Sequence, residues 1–292
     1  MDALRASYGG ASSDSDSSPT ISPVSSPPPS TSNYNPHQTS TSLPPPPLAL
    51  LHSPDSFGAF DYLQTEQPTR VRSFPHVQGN YALHVYIPVH IPSSPRKELV
   101  QFLRKVTDLV PGLHAVDIDV PLTSLLKDDN KFEQVVLGRE FHISLGRTVP
   151  IRVHQRDSVL TMLRQKLQFQ KMYWIDFAKW VVFVNDDFTR SFLSMEVIAG
   201  GLAEITKQID AVNEVYRLHN LPEFYKDPRP HISVAWASGD VGDFMTGVVE
   251  EEMKRFSLTG GSSRKHIFTC KFGGVKCRIG NRTYEICKFQ EL

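Results

Sequence analysis

The chain contains no apolar run near the roughly 18 residues that a membrane-spanning helix needs. Composition therefore excludes a helical membrane protein. Cysteine is scarce: Cys270, Cys277 and Cys287 are the only three in 292 residues. A small, odd number in the last segment excludes a disulfide scaffold and points to a reducing compartment, cytosol or nucleus. Their spacing with His266 matches no strong zinc signature, so they read as buried structural thiols, and neither metal nor cofactor is expected. The N-terminus, MDALRASYGG, lacks the apolar core of a secretory signal. Asp2, Asp14 and Asp16 argue against a transit peptide, which is poor in acid. Neither sign of charge dominates, with 31 basic and 31 acidic residues. That balance conceals an asymmetry: residues 1–68 hold one base and six acids, leaving 30 bases and 25 acids for the rest. A mildly basic globular part shifts the expectation slightly towards an anionic ligand.

What is abundant comes first along the chain. Residues 1–70 are dominated by Ser, Pro, Thr and Gly, with SSPPPSTS and LPPPPLALL as the extremes. Such a composition cannot bury enough apolar surface to offset chain entropy, so a disordered tail is expected there. The Pro44–Pro47 run fits either a polyproline ligand or an inert linker, and composition favours the linker. Order is expected from Val71 to the C-terminus. NYALHVYIPV alternates as a strand, with Tyr81, Leu83, Val85 and Ile87 against Ala82, His84 and Tyr86. SSPRKELVQFLRKVTDLVPG predicts a helix capped by Ser93 or Ser94, with Pro95 in its first turn and Pro111–Gly112 at its end. A polar loop follows near Lys127–Lys131. HQRDSVLTMLRQKLQFQ and GLAEITKQIDAVNEVYRLHN predict further helices. WIDFAKWVVFVND and TRSFLSMEVIAG predict two strands joined by a turn at Asn185–Phe188. A short helix over Val241–Phe256 and a set of short strands finish the chain. Long helices among antiparallel-looking strands indicate an α+β fold with two sheet-bearing lobes.

Two stretches, EFHISLGRT and RPHISVAW, repeat one triplet inside apolar runs. In an extended strand successive side chains point to opposite faces. His142 and Ser144 therefore share a face, opposite Phe141, Ile143 and Leu145. His231 and Ser233 do the same against Ile232 and Val234. The bare pattern is weak, since His37-Gln-Thr39 matches it inside the tail. Either triplet alone also fits a histidine hydrogen-bonded within a sheet. The matched contexts make the pair informative. A neutral imidazole can take a proton from an attacking hydroxyl while a protonated one supplies the leaving oxygen. Two hydroxyls alongside can bind non-bridging phosphate oxygens. No dense carboxylate cluster accompanies them, which makes metal-assisted hydrolysis less attractive.

FHISL and PHISVAW resemble the two His-x-Ser signatures of the 2H phosphoesterases. RSFPHVQGNYALHVYIPV, EFHISLGRTVPIR, FYKDPRPHISVAW and CRIGNRTYEI narrow the resemblance to the U6 snRNA phosphodiesterase branch, from about residue 71 to the C-terminus. The resemblance implies a bilobal fold, two pseudo-symmetric lobes of antiparallel sheet with helices around a central cleft. It also implies a metal-independent 3′-to-5′ RNA exonuclease that trims the oligouridine end of U6 snRNA in the nucleus, leaving a 2′,3′-cyclic phosphate or a 3′-phosphate. Carried over, His231 is the general base and His142 the general acid, a partition that sequence leaves open. Ser144 and Ser233 bind phosphate, and Tyr225 stacks on the terminal base. Arg147, Lys226 and Arg229 touch the RNA backbone or serve as solvated charges. RNA is the expected partner, with no membrane and a monomeric chain. Two other readings use the same residues: a 2′,3′-cyclic nucleotide phosphodiesterase, and an RNA-binding module with structural histidines.

Overall fold

The structure is a computed structural model that describes residues 77–258 and 266–289. The expected tail, its polyproline run and the start of order at Val71 lie outside these residues. The elements in chain order are β1 (Asn80–His90), α1 (Ser93–Leu109), β2 (His114–Ala115), α2 (Asp129–Phe132), β3 (Glu140–Ser144) and β4 (Val149–Arg152). After them come α3 (Arg156–Leu167), β5 (Trp174–Val184), β6 (Arg190–Val197), α4 (Leu202–Leu218) and β7 (His231–Ser238). The last are α5 (Gly242–Leu258), β8 (Phe268–Lys271), β9 (Gly274–Ile279) and β10 (Arg282–Lys288).

The strands form two five-stranded sheets. The first runs β10-β9-β1-β3, with β4 also paired to β1, and the second runs β2-β7-β6-β5-β8. Every pairing is antiparallel. The α+β expectation with two sheet-bearing lobes therefore holds among the described residues. Both halves of the chain contribute strands to each sheet. β9 and β10, from the end of the sequence, complete the first sheet beside β1, while β2, from the first half, edges the second sheet beside β7. Helices cross over too: the Phe102 ring of α1 packs on Trp180 of β5 at 4.8 Å, and α3 lies against β9 and β10.

The alternation in β1 explains its burial. Leu83, Val85 and Ile87 are fully covered, and Phe141, Ile143, Val275 and Cys277 join them on the same side of the first sheet. Covering a side chain of this size contributes roughly 1.5–3 kcal/mol. Tyr81 stays exposed at the strand's start. Two local expectations need correction. α1 has Pro92 at its N-cap position and no side-chain cap. The Arg96 guanidinium separately ties α1 to the end of β1 by donating to the Ile91 carbonyl at 3.0 and 2.7 Å. The expected polar loop near Lys127–Lys131 contains α2, whose start is capped by Asp128 accepting from the Lys131 amide at 3.0 Å.

Gly146, just after the first triplet, is fixed by close packing. A Cβ there would lie 2.9 Å from the Tyr216 hydroxyl. That fully buried tyrosine donates to the Arg147 carbonyl at 3.1 Å. α4 thus pins the chain where β3 ends. β3 and β7 pack against each other at the seam between the sheets, and Arg139, just before β3, donates across it to the Val234 carbonyl at 3.4 Å.

Candidate active site

β3 and β7 each bury one row of side chains and leave the other at the seam. Phe141, Ile143 and Leu145 are buried, while His142 and Ser144 are half-buried. Ile232 and Val234 are buried, while His231 and Ser233 are half-buried. The His142 side chain retains 32% of its exposure, so solvent reaches it. The two triplets, 89 positions apart in the chain, lie on β3 and β7, which pack against each other.

The first half of the site contains a third histidine. The β1–β3 register sets Tyr86 opposite Ser144 and Pro88 opposite His142, so His84 and Tyr86 lie on the His142 face. His84 Nε2 is 3.0 Å from Ser144 Oγ. Its ring meets His142 edge-on at 4.9 Å and stacks on Tyr86 at 5.1 Å. Burial, followed by the fields of His142 and Arg278, holds the His84 pKa well below the ordinary imidazole value, so it stays neutral. Asp117 Oδ2 stands 3.9 Å from His142 Nδ1 and accepts from Arg139 at 3.4 Å. Burial lowers the His142 pKa, and Asp117 opposes that by favouring the imidazolium. Asp117 adopts φ 69°, left-handed backbone that is uncommon outside glycine.

The second half is built differently. His231 Nδ1 is 2.6 Å from the Arg229 carbonyl. A carbonyl only accepts, so Nδ1 carries the proton and a neutral ring keeps its lone pair on Nε2. Phe183 of β5 stacks on the imidazole at 4.1 Å. Burial lowers the His231 pKa, the carbonyl bond opposes that, and His142 adds to the lowering. Ser233 Oγ is 3.0 Å from Ser194 Oγ on β6. One imidazole is thus preset to accept a proton at Nε2, and the other faces a carboxylate that stabilises its charged form. Together with two seam hydroxyls they can run acid–base chemistry on a phosphodiester.

Tyr225 is exposed on the loop before β7. Its hydroxyl donates to Asp186 at 3.1 Å, Arg147 donates to the same carboxylate at 3.1 Å, and the Arg147 guanidinium lies 4.1 Å from the Tyr225 ring centre. Arg229 makes a two-point contact with buried Glu196 at 2.5 and 2.8 Å and covers Phe183 at 4.6 Å. Lys226 is exposed on the same loop. The sequence singles out these three cations but not the carboxylate partners of Arg147 and Arg229, which come from the β5–β6 turn and β6. His84 had a legible signal in the β1 alternation. Asp117, Phe183 and Ser194 had none, because only folding brings them to the triplets. Cys277 is buried and Cys270 half-buried, and burial pushes both thiols up to about 12. Among the described residues, no three His, Cys, Asp or Glu side chains converge in a way that suits a metal ion.

Comparison with known proteins places these features among relatives. The model of the HVSL family, described as an uncharacterised conserved protein, matches residues 44–287. The match begins well before residue 71, where the sequence resemblance was read to start. U6 snRNA phosphodiesterase 1 of Xenopus laevis is 29% identical over 249 residues, covering 83% of this chain and 88% of the relative. The Homo sapiens protein of that name is 28% identical over 222 residues, covering 76% of this chain and 75% of the relative. Among solved structures, Kluyveromyces marxianus Usb1 with uridine monophosphate is 11% identical with a TM-score of 0.46, covering 71% of this chain and 97% of that one.

Proposed function

The chain belongs to the HVSL family, and from that premise we propose that it is a metal-independent 3′-to-5′ RNA exonuclease. It trims the oligouridine end of U6 snRNA in the nucleus. Its relatives carry the name U6 snRNA phosphodiesterase 1, and the paired triplets supply a matching chemistry. The observation that carries the reading is the packing of β3 against β7, each presenting a half-buried imidazole with a seryl hydroxyl two residues on.

In the proposed reaction, His231 Nε2 takes the proton from the 2′-hydroxyl of the ribose before the scissile bond. The 2′-oxygen attacks phosphorus, the bond from phosphorus to the 5′-oxygen breaks, and protonated His142 gives that oxygen its proton. Ser144 and Ser233 donate to the non-bridging oxygens, where negative charge grows. The RNA is left with a 2′,3′-cyclic phosphate. If water then opens the ring, the two imidazoles exchange roles and a 3′-phosphate results. Tyr225 stacks on the terminal base, a contact worth roughly 1–3 kcal/mol. Arg147 and Lys226 flank that base, while Arg229 serves mainly to brace His231 through its carbonyl and its cover of Phe183.

The test is incubation of the purified protein with oligouridine-tailed RNA in chelator, with product ends identified by mass. Shortened RNA bearing cyclic or 3′-phosphate ends is expected. A 2′-deoxy residue before the scissile bond should stop the reaction. A protein that leaves the tail intact yet opens 2′,3′-cyclic uridine phosphate is the cyclic phosphodiesterase instead. One that binds the RNA without turnover is the binding module.

A further inference from the structure

The site face of the first sheet continues past the reacting groups. Directly opposed residues of an antiparallel pair project to the same side. The register sets Arg278 of β9 opposite His84, and Lys276 opposite Tyr86. β1 in turn sets Tyr86 opposite Ser144. A row therefore crosses three strands on one face, from Ser144 on β3 through His84 and Tyr86 on β1 to Arg278 and Lys276 on β9. Strand spacing makes β3 to β9 about 9–10 Å.

The cations around the site are not equivalent. Arg147 is held by Asp186 at 3.1 Å, Arg139 by Asp117 at 3.4 Å, Arg229 by Glu196 at 2.5 Å and Lys276 by Glu140 at 2.6 Å. Arg278 is exposed and has no acidic partner among the described residues. Its field nevertheless reaches His84, Tyr86 and His142 and makes each harder to protonate or easier to ionise. A positive charge beside buried His84 and half-buried His142, with no acidic partner among the described residues, becomes favourable once an anion arrives.

We infer that Arg278 binds a second phosphate of the substrate, the phosphodiester immediately 5′ of the scissile one, and so guides the body of the RNA across β1 towards β9. The inference rests on the RNA reading above and deepens it. On that reading Tyr225 marks the 3′-terminal side of the scissile phosphate, and the β9 row, two strand spacings from Ser144 across β1, offers the upstream chain a charged place to rest. The guanidinium offers a planar fork of donors suited to two phosphate oxygens. Because it touches the backbone alone, it adds affinity without base preference.

The experiment compares the dinucleotide UpU, which has only the scissile phosphate, with the trinucleotide UpUpU and with UpUpU carrying a neutral methylphosphonate at its 5′ linkage. Wild-type protein should cleave UpUpU with about tenfold higher kcat/KM than UpU, the size expected of one charge-assisted contact. Methylphosphonate should remove that gain. Arg278→Gln should lose the gain with charged UpUpU and be indifferent to methylphosphonate, and its log KM should climb less steeply with log salt, by about 0.7. If Arg278→Gln keeps the full trinucleotide advantage, or slows UpU and UpUpU equally, the second phosphate is bound elsewhere. If the wild-type protein cleaves no RNA of any length, the nuclease reading itself has failed, which is a separate outcome.

Discussion

His142 and His231 occupy the same tripeptide on similar strands, yet their surroundings differ in kind. His142 is bordered by the edge of His84, the Tyr86 ring and the Asp117 carboxylate. His231 is gripped by the Arg229 carbonyl at Nδ1 and by the flat face of Phe183. A carbonyl at Nδ1 fixes a tautomer and leaves a lone pair at Nε2, whereas a carboxylate favours the charged ring. Identical local sequence therefore meets unlike surroundings, and titrating groups are set by what faces them. The same contrast extends to the hydroxyls: Ser144 leans on an imidazole, Ser233 on another serine.

The comparison breaks most sharply if either ring is dispensable. His142→Ala and His231→Ala should each lower turnover of oligouridine RNA in chelator by roughly 10²–10⁴-fold or more. A variant retaining wild-type rate would remove that ring from the acid–base pair. Ser144→Ala and Ser233→Ala should each reduce kcat on the order of 10²-fold, the scale of one lost donor to a growing oxyanion. KM should move little in both.

The Asp117 contact separates the two histidines by pH. His231 must be neutral and His142 protonated for the proposed attack. Both pKa values lie below the ordinary 6.5, so the kcat/KM bell should sit on the acid side of that value. Activity rises with pH as His231 loses its proton and falls as His142 loses its own. Asp117→Asn removes a charge that holds the proton on His142. The alkaline limb should then move to lower pH, with about tenfold less activity at the old alkaline shoulder, while the acid limb stays in place. Movement of the acid limb instead would exchange the two roles. The smallest effect belongs to Phe183→Leu. Loss of a ring contact worth about 0.5–1.5 kcal/mol should cost a few-fold in kcat with KM preserved, and Phe183→Tyr should recover it.

Much of the local structure was legible. The period-two pattern of β3 and β7 gave the strand faces, and burial follows it at Ile143 and Ile232. α4 follows its predicted helical face, with Ile205, Ile209 and Val212 buried. The Asn185–Phe188 turn also lies where it was read, between β5 and β6. The misses share a cause. Ser93 and Ser94 resemble caps, but the chain's path after β1 puts Pro92 at the N-cap position, and no side chain caps α1. Likewise, β9 pairs with β1 across almost 200 positions, a pairing that no window of sequence encodes.

Sequence by itself determined the elements, the two His-Ile-Ser faces and the kind of chemistry two imidazoles and two hydroxyls can support, because alternation and turn chemistry act over a few neighbouring residues. Only the tertiary structure decided which ring meets a carboxylate and which a carbonyl, which arginines are neutralised by Asp186 and Glu196, and that Arg278 is brought to the site without an acidic partner among the described residues. Those outcomes depend on partners tens to hundreds of residues apart, and electrostatic environment is fixed by distance in space rather than along the chain.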